Sequence, residues 1–145
     1  MLSLIQRVNY ARLSIGGECH AEIGVGLLAL VGMEKGDDAT VMERMVDKLL
    51  AYRVFADDAG KMNLGLKDID GELMLVSQFT LAATTDKGLR PGFSSAMPPA
   101  EAEALYQLMV SHAKSKHDHV VSGVFAADMQ IALENNGPVT FMLKV

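Results

Sequence analysis

Alternation of side chains with a period of two opens this chain and constrains its fold more than any other feature. In LSLIQRV, residues 2–8, Leu2, Leu4, Gln6 and Val8 share one face, and Ser3, Ile5 and Arg7 share the other. That is the pattern of a strand. Ala11, Leu13 and Ile15 then face one way along a second strand. Gly16-Gly17 reads as a two-residue hairpin turn, since both glycines tolerate positive φ. Cys19, Ala21 and Ile23 form the inward face of the return strand, with Cys19 as a small buried apolar group. VGLLALVG, residues 25–32, reads as a buried strand.

The period changes over residues 38–52. Val41, Met45 and Leu49, with Val46 and Leu50, fall at helical spacing, and Asp37 or Asp38 supplies the cap. Arg53 to Phe55 reads as a short strand and Asp57-Asp58-Ala59-Gly60 as a turn. Asp70-Gly71 predicts a tight hairpin leading into a central strand over Glu72–Leu81. Residues 83–99 form the longest loop and carry Lys87 and Arg90, a basic spot in an acidic chain. Pro98-Pro99 opens a second helix through about Lys116, with Ala102, Leu105, Leu108 and Met109 on one face. Strands around 119–124, 128–134 and 139–145 finish the chain. No repeat, linker or internal boundary interrupts residues 1–145. The expectation is one α+β domain, mostly antiparallel strands with two main helices.

At 145 residues a single domain buries roughly 70% of its unfolded surface. The 10 methionines read as adaptable core filler. The net charge of −5 excludes a broad basic face for long duplex nucleic acid, so DNA is not an expected partner. An RNA partner would be gripped at a small part, such as one end. The single cysteine forbids an intramolecular disulfide and fits a reducing cytoplasm. The longest apolar run, Ile23 to Met33, falls short of the ~20 residues of a membrane span, and no signal-peptide pattern is seen.

Several motifs fail on their context. Gly24-Val25-Gly26-Leu27-Leu28-Ala29 loosely matches a dinucleotide fingerprint, but that motif needs a helix to begin inside it. Cys19 and His20 are strand neighbours and point to opposite faces. His117 and His119 could share a face, but no third metal ligand stands at suggestive spacing, and no metal or cofactor is expected. A hairpin turn explains Asp68-x-Asp70-Gly71 better than a calcium loop does.

Two short motifs survive. Ser77-Gln78-Phe79-Thr80-Leu81 ends the central strand with hydroxyls and an amide where Val or Ile would be ordinary. Gln78 and Thr80 share one face; Ser77, Phe79 and Leu81 share the other. A Thr80 or Ser77 hydroxyl would need a base to attack at neutral pH, and the motif contains none. Asn135-Asn136-Gly137-Pro138-Val139-Thr140 places a Gly-Pro step at the start of the last strand, where a proline lacking N–H belongs. Only about 5–6% of X-Pro bonds in folded proteins are cis, so the residues alone give a trans turn.

Together these motifs resemble the two signatures of the D-aminoacyl-tRNA deacylase (D-tyrosyl-tRNA deacylase) family. Leu4–Val8, Gly60–Leu64, Lys87-Gly88, Arg90-Pro91, Phe93 and Phe125–Met129 resemble further blocks of that family in the same order. Val124 and Thr84 depart from a frequent arginine and a common acidic residue, outside both core motifs.

The resemblance implies a deacylase-like barrel fold and a homodimer with active sites at the interface. It implies hydrolysis of D-aminoacyl-tRNA at its acceptor end, with no cofactor. Ser77, Gln78, Phe79 and Thr80 would form the catalytic segment, with backbone N–H groups near Phe79 and Thr80 on the oxyanion. The terminal 2′-hydroxyl would assist. Gly137-Pro138 would be a cis step entering the partner's pocket and rejecting L-residues, with achiral glycine escaping in part. Arg7 would brace that step, Phe125 and Met129 would pack on the adenine, and Lys87 and Arg90 would touch phosphate. Two rival readings stand beside this one: a non-catalytic module binding tRNA ends or a protein, and a small-molecule esterase with Thr80 as nucleophile.

Overall fold

The structure, a computed structural model, describes residues 1–86 and 88–145. Its strands are β1 (Leu2–Ile15), β2 (Glu18–Ile23), β3 (Gly26–Gly32), β4 (Phe55–Ala56), β5 (Met62–Leu64), β6 (Glu72–Ser77), β7 (Val120–Ser122) and β8 (Met129–Lys144). Its helices are α1 (Ala39–Ala51) and α2 (Pro99–Lys116). The main sheet runs β2-β1-β3-β6-β7, with β8 on the other side of β1. β2 comes round to contact β6 and β7, which nearly closes the sheet into a barrel.

β1 pairs antiparallel with β2, β3 and β8, whereas β3, β6 and β7 run parallel to one another. The apolar runs of β3 and β6 follow from this placement, since central parallel strands are covered on both faces. Leu27, Ala29, Leu73 and Leu75 pack under the helices with Met45, Leu49, Tyr106 and Met109. Leu28, Met74 and Val76 point into the barrel with Val8, Leu13 and Ile23. Each large side chain so enclosed contributes about 1.5–3 kcal/mol relative to exposure. At Gly26 the strands approach so closely that an added Cβ would fall on the Glu72 carbonyl.

The first two predicted strands are one. The register shifts between Gln6 and Val8 and again between Val8 and Tyr10. Those bulges let Val8 and Ala11, which a simple alternation separates, both enter the barrel core. Gly16-Gly17 makes the expected turn, with φ of 59° and 84°. Cys19 is exposed, not buried: it lies near the turn end of β2, beyond the covered part of the sheet.

α1 begins at Asp38, whose side chain accepts from the Val41 N–H at 2.9 Å. Its buried stripe is Met42, Met45, Val46, Leu49 and Leu50. α2 buries Ala102, Tyr106, Met109 and Ala113, while Leu108, expected inside, is exposed. Asp70-Gly71 closes a 3₁₀ turn rather than a hairpin, because the strand it feeds joins β3 in parallel. The last two predicted strands are also continuous. β8 passes through the Gly-Pro step instead of starting at it.

Candidate active site

The expected central strand stops early. β6 ends at Ser77, and Phe79–Ala82 form one 3₁₀ turn. The Gln78 N–H donates to the Val31 carbonyl at 2.7 Å, the last bond tying the segment to β3. The chain then turns tightly over Gly32, where an added Cβ would lie 2.8 Å from the Leu81 Cβ. The opening N–H groups of a helical turn have no acceptor within it. Those of Phe79 and Thr80 have none among the described residues. The Gln78 Nε2 donates to the Thr80 Oγ1 at 2.6 Å. The hydroxyl therefore faces an amide donor, not a base.

A cleft of about 770 Å³ opens beyond the carboxyl ends of β3, β6 and β7. Such a position follows from the parallel trio, since the connections leave those ends in different directions. Ser77, Gln78 and Phe79 line one part of it, Phe125 and Met129 another, and Phe93 and Met97 a third. The Phe79 and Phe93 rings lie 5.0 Å apart, and Phe79 is largely exposed. Phe125 and Met129 are half-buried on a connection that Ala126 turns with a φ of 59°.

Tyr106 joins the two walls. Its hydroxyl lies 2.8 Å from the Leu75 carbonyl and 3.2 Å from the Gly123 carbonyl, one residue ahead of the Val76–Phe79 lining and two ahead of Phe125. Its ring sits 6.2 Å from that of Phe125. Burial pushes the Tyr106 phenol up to about 12, so it stays a neutral donor. The charged residues lining the cleft are Lys35 and Asp128.

The Gly-Pro motif lies elsewhere on the chain. Gln6 pairs with Thr140 and Val8 with Asn135, so residues 136–139 bulge out opposite Arg7. The Gly137–Pro138 bond is cis, Gly137 has a φ of 140°, and both residues are exposed. Arg7 donates through Nε to the Asn136 carbonyl at 2.9 Å and through Nη1 to the Val54 carbonyl at 2.6 Å. The Asn135 side chain closes the bulge, accepting from the Val139 N–H at 2.7 Å and donating to Thr140 Oγ1 at 2.9 Å. Ser77 aligns across three strands with Leu143, through Val31 and Ser3. From strand spacing and rise, the motif is about 20 Å along the sheet from the cleft.

The structure thus gathers Ser77, Gln78, Phe79, Phe125 and Met129 at one cleft, with Thr80 beside it. It gathers Arg7, Gly137 and Pro138 at another place. Arg90 is exposed and outside the cleft lining, and Lys87 lies outside the described residues. His117 is buried with Nε2 2.7 Å from the Gly71 carbonyl, and His119 lies 3.7 Å from Asp70. Lys35, Phe93 and Tyr106 escaped the sequence reading as site residues. Recognising β3 and β6 as parallel would have marked Lys35, which stands just past the carboxyl end of β3.

Residues 4–144 match the family described as D-Tyr-tRNA(Tyr) deacylase. The chain belongs to that family. Membership places this deacylase among the hydrolases that cleave the ester bond of aminoacyl-tRNA. It is 55% identical over 143 residues to a protein of Saccharophagus degradans named D-aminoacyl-tRNA deacylase, covering 99% of each chain. A protein of the same name from Stutzerimonas stutzeri is 55% identical over 144 residues, again with 99% of each covered. Among solved structures, one described as c-Myc DNA Unwinding Element Binding Protein superposes with a TM-score of 0.95 at 36% identity, covering 100% of this chain and 99% of that one. Another, described as a probable eukaryotic D-amino acid tRNA deacylase, gives 0.86 at 14% identity and speaks for the fold alone; 99% of this chain and 98% of that one are covered. No helix among the described residues is long and apolar enough to cross a membrane.

Proposed function

We propose that this deacylase removes D-amino acids from tRNA in the cytoplasm by an RNA-assisted ester hydrolysis, as a homodimer whose two active sites lie at the interface. The observation that carries this reading is the meeting of the Ser77–Phe79 segment with Phe125 and Met129 around one cleft. The terminal adenine packs on Phe125 and Met129, a usual way to hold an unpaired base. The ester carbonyl lies at the start of the 3₁₀ turn, where the Phe79 and Thr80 N–H groups stabilise the developing oxyanion. Ser77 and Gln78 shape the approach to it. The 2′-hydroxyl of the terminal ribose, held in place, activates the attack at high effective concentration. The Gln78–Thr80 hydrogen bond supports this division of labour, because among the described residues no base is hydrogen-bonded to the Thr80 hydroxyl.

Chirality is decided by the Gly137-Pro138 step of the second protomer. The step is exposed, about 20 Å along the sheet from its own cleft, and braced by Arg7, which suits it to entering another copy's pocket. β8 pairs with β1 alone and exposes Phe141 and Met142, a long edge that a second copy would cover. A D-residue directs its side chain away from the step, and an L-residue collides with it. A thousandfold preference needs only ~4 kcal/mol, which one hard clash supplies. Glycine has no side chain to reject, so glycyl-tRNA is cleaved in part. The net charge of −5 leaves no broad basic face for duplex DNA, so the acceptor end of tRNA remains the partner.

The deciding experiment incubates the purified protein with D- and L-aminoacyl-tRNA carrying the same residue and follows ester loss. Rapid loss of the D form with the L form spared is expected. Equal loss of both would make the protein a general esterase. Loss of neither by a folded dimer would make it a binding module.

A further inference from the structure

We propose that Lys35 binds the phosphodiester that precedes the terminal adenosine, a phosphate contact made from the lining of the cleft itself. The inference rests on the deacylase reading above. Lys35 lines the same cleft as Ser77, Phe79 and Phe125, and among the described residues it is the only basic side chain that does.

Its position is built. The Lys35 N–H donates to the Ser95 carbonyl at 2.9 Å, and neighbouring Glu34 pairs with Ala96. The Met97 N–H donates to the Met33 carbonyl at 3.0 Å. These bonds fix the segment after β3 against the 93–97 wall, so the lysine stem starts from a defined point of the cleft lining. Three acids surround Lys35 in sequence, and all three are engaged elsewhere. Glu34 Oε2 lies 3.2 Å from the Met1 ammonium and 3.8 Å from the Lys144 Nζ. Asp37 lies 2.7 Å from the same ammonium and accepts from the Glu34 N–H at 2.7 Å. Asp38 caps α1. Lys35 itself forms no ion pair among the described residues. Asp128, the acid in the same lining, forms no ion pair with Lys35 among the described residues, so a solvated ammonium on a mostly apolar cleft, in a chain of net charge −5, is placed to attract one anion rather than a backbone track. Arg90 lines no part of the cleft. A terminal adenosine whose base packs on Phe125 and Met129 brings a single 5′ phosphodiester with it, and Lys35 lines the same cleft.

The test compares two substrates that share the ester and the adenosine: D-aminoacyl-tRNA and 3′-O-(D-aminoacyl)adenosine, which has no phosphate. Lys35→Gln removes the charge and keeps most of the stem; Lys35→Arg restores a cation. The preference for the tRNA over the nucleoside ester, as a ratio of kcat/KM, should fall about tenfold in Lys35→Gln, chiefly through KM. It should recover in Lys35→Arg. The salt dependence of KM for tRNA should lose about 0.7 of a unit of log–log slope, the share of one phosphate contact on a single strand. An unchanged ratio and slope, or equal losses on both substrates, would overturn the assignment while leaving the deacylase reading intact. A wild-type protein inactive on both substrates would sink the deacylase reading and this inference with it.

Discussion

Replacing Tyr106 by phenylalanine should invert the order of stability between high and neutral pH. The phenol is 3% exposed, with its hydroxyl 2.8 Å from the Leu75 carbonyl. At neutral pH the variant loses that hydrogen bond while keeping the ring, a cost of about 1–2 kcal/mol. The ionised form behaves in the opposite sense. Burial pushes the phenol up to about 12, against about 10 in the unfolded chain. Below pH 10 both states keep the proton and the contribution is complete. Above it the unfolded state loses its proton first, and wild-type stability falls by ~1.4 kcal/mol per pH unit until the folded phenol titrates. The loss is about 2 kcal/mol by pH 12. That exceeds the hydrogen-bond advantage, so the two stability curves should cross near pH ~11. The chain has no tryptophan, so urea unfolding followed by circular dichroism is the suitable assay. Lysines and the other tyrosines are common to both proteins and cancel in the difference. Parallel curves from pH 9 to 12 would show a hydrated phenol and refute the burial argument.

Three further outcomes are expected. Under the proposed RNA-assisted hydrolysis, Thr80→Ala should keep turnover within about tenfold of wild type in a single-turnover assay; a loss of about a thousandfold in a folded protein would establish a threonine nucleophile. Gly137→Ala would set a Cβ 2.7 Å from the Val139 Cγ2 and 3.1 Å from the Arg7 Nη2, at a φ of 140°. It should cost about 1–3 kcal/mol and abolish deacylation, whereas unchanged turnover would remove the motif from the site. Gly26→Ala drives a side chain onto the Glu72 carbonyl at the start of the β3–β6 pair. It should cost about 2–4 kcal/mol, and a wild-type Tm would contradict the close approach.

The period-two and period-3.6 patterns located the strands and both helices, because each reports which side chains a local backbone turns inward. Strand direction was not legible in the same way. An apolar run such as LLALV reads alike in parallel and antiparallel sheets, and only the β3–β6 register shows which it is. That choice decides where the cleft opens, which is why Lys35 went unnoticed. The end of β6 was misplaced for a related reason: Phe79 and Leu81 continue an apolar pattern, but the bond from Gln78 to Val31 is the last the neighbouring strand offers before Gly32. Tyr106 was hidden by the weak amphipathicity of α2, where Leu108 has the more apolar side chain and the phenol is the one buried. Ser77–Thr80, Phe125, Met129 and Gly137-Pro138 stand out in the sequence only through family resemblance, since nothing local to either motif shows which distant segment it meets.

The bulge opposite Arg7 is a bracket rather than a lid. β8 is paired to β1 on both sides of residues 136–139, and each flank is locked in register with the same neighbour. A loop whose flanks are not paired in a sheet samples a wider arc than one whose flanks are. A bracket anchored at both ends can shift only if a whole ladder shifts, so its positional spread is that of the sheet. On the proposed reading of the Gly-Pro step as a chirality filter, such a bracket should lose speed on cooling or heating well before it loses its ability to tell mirror images apart.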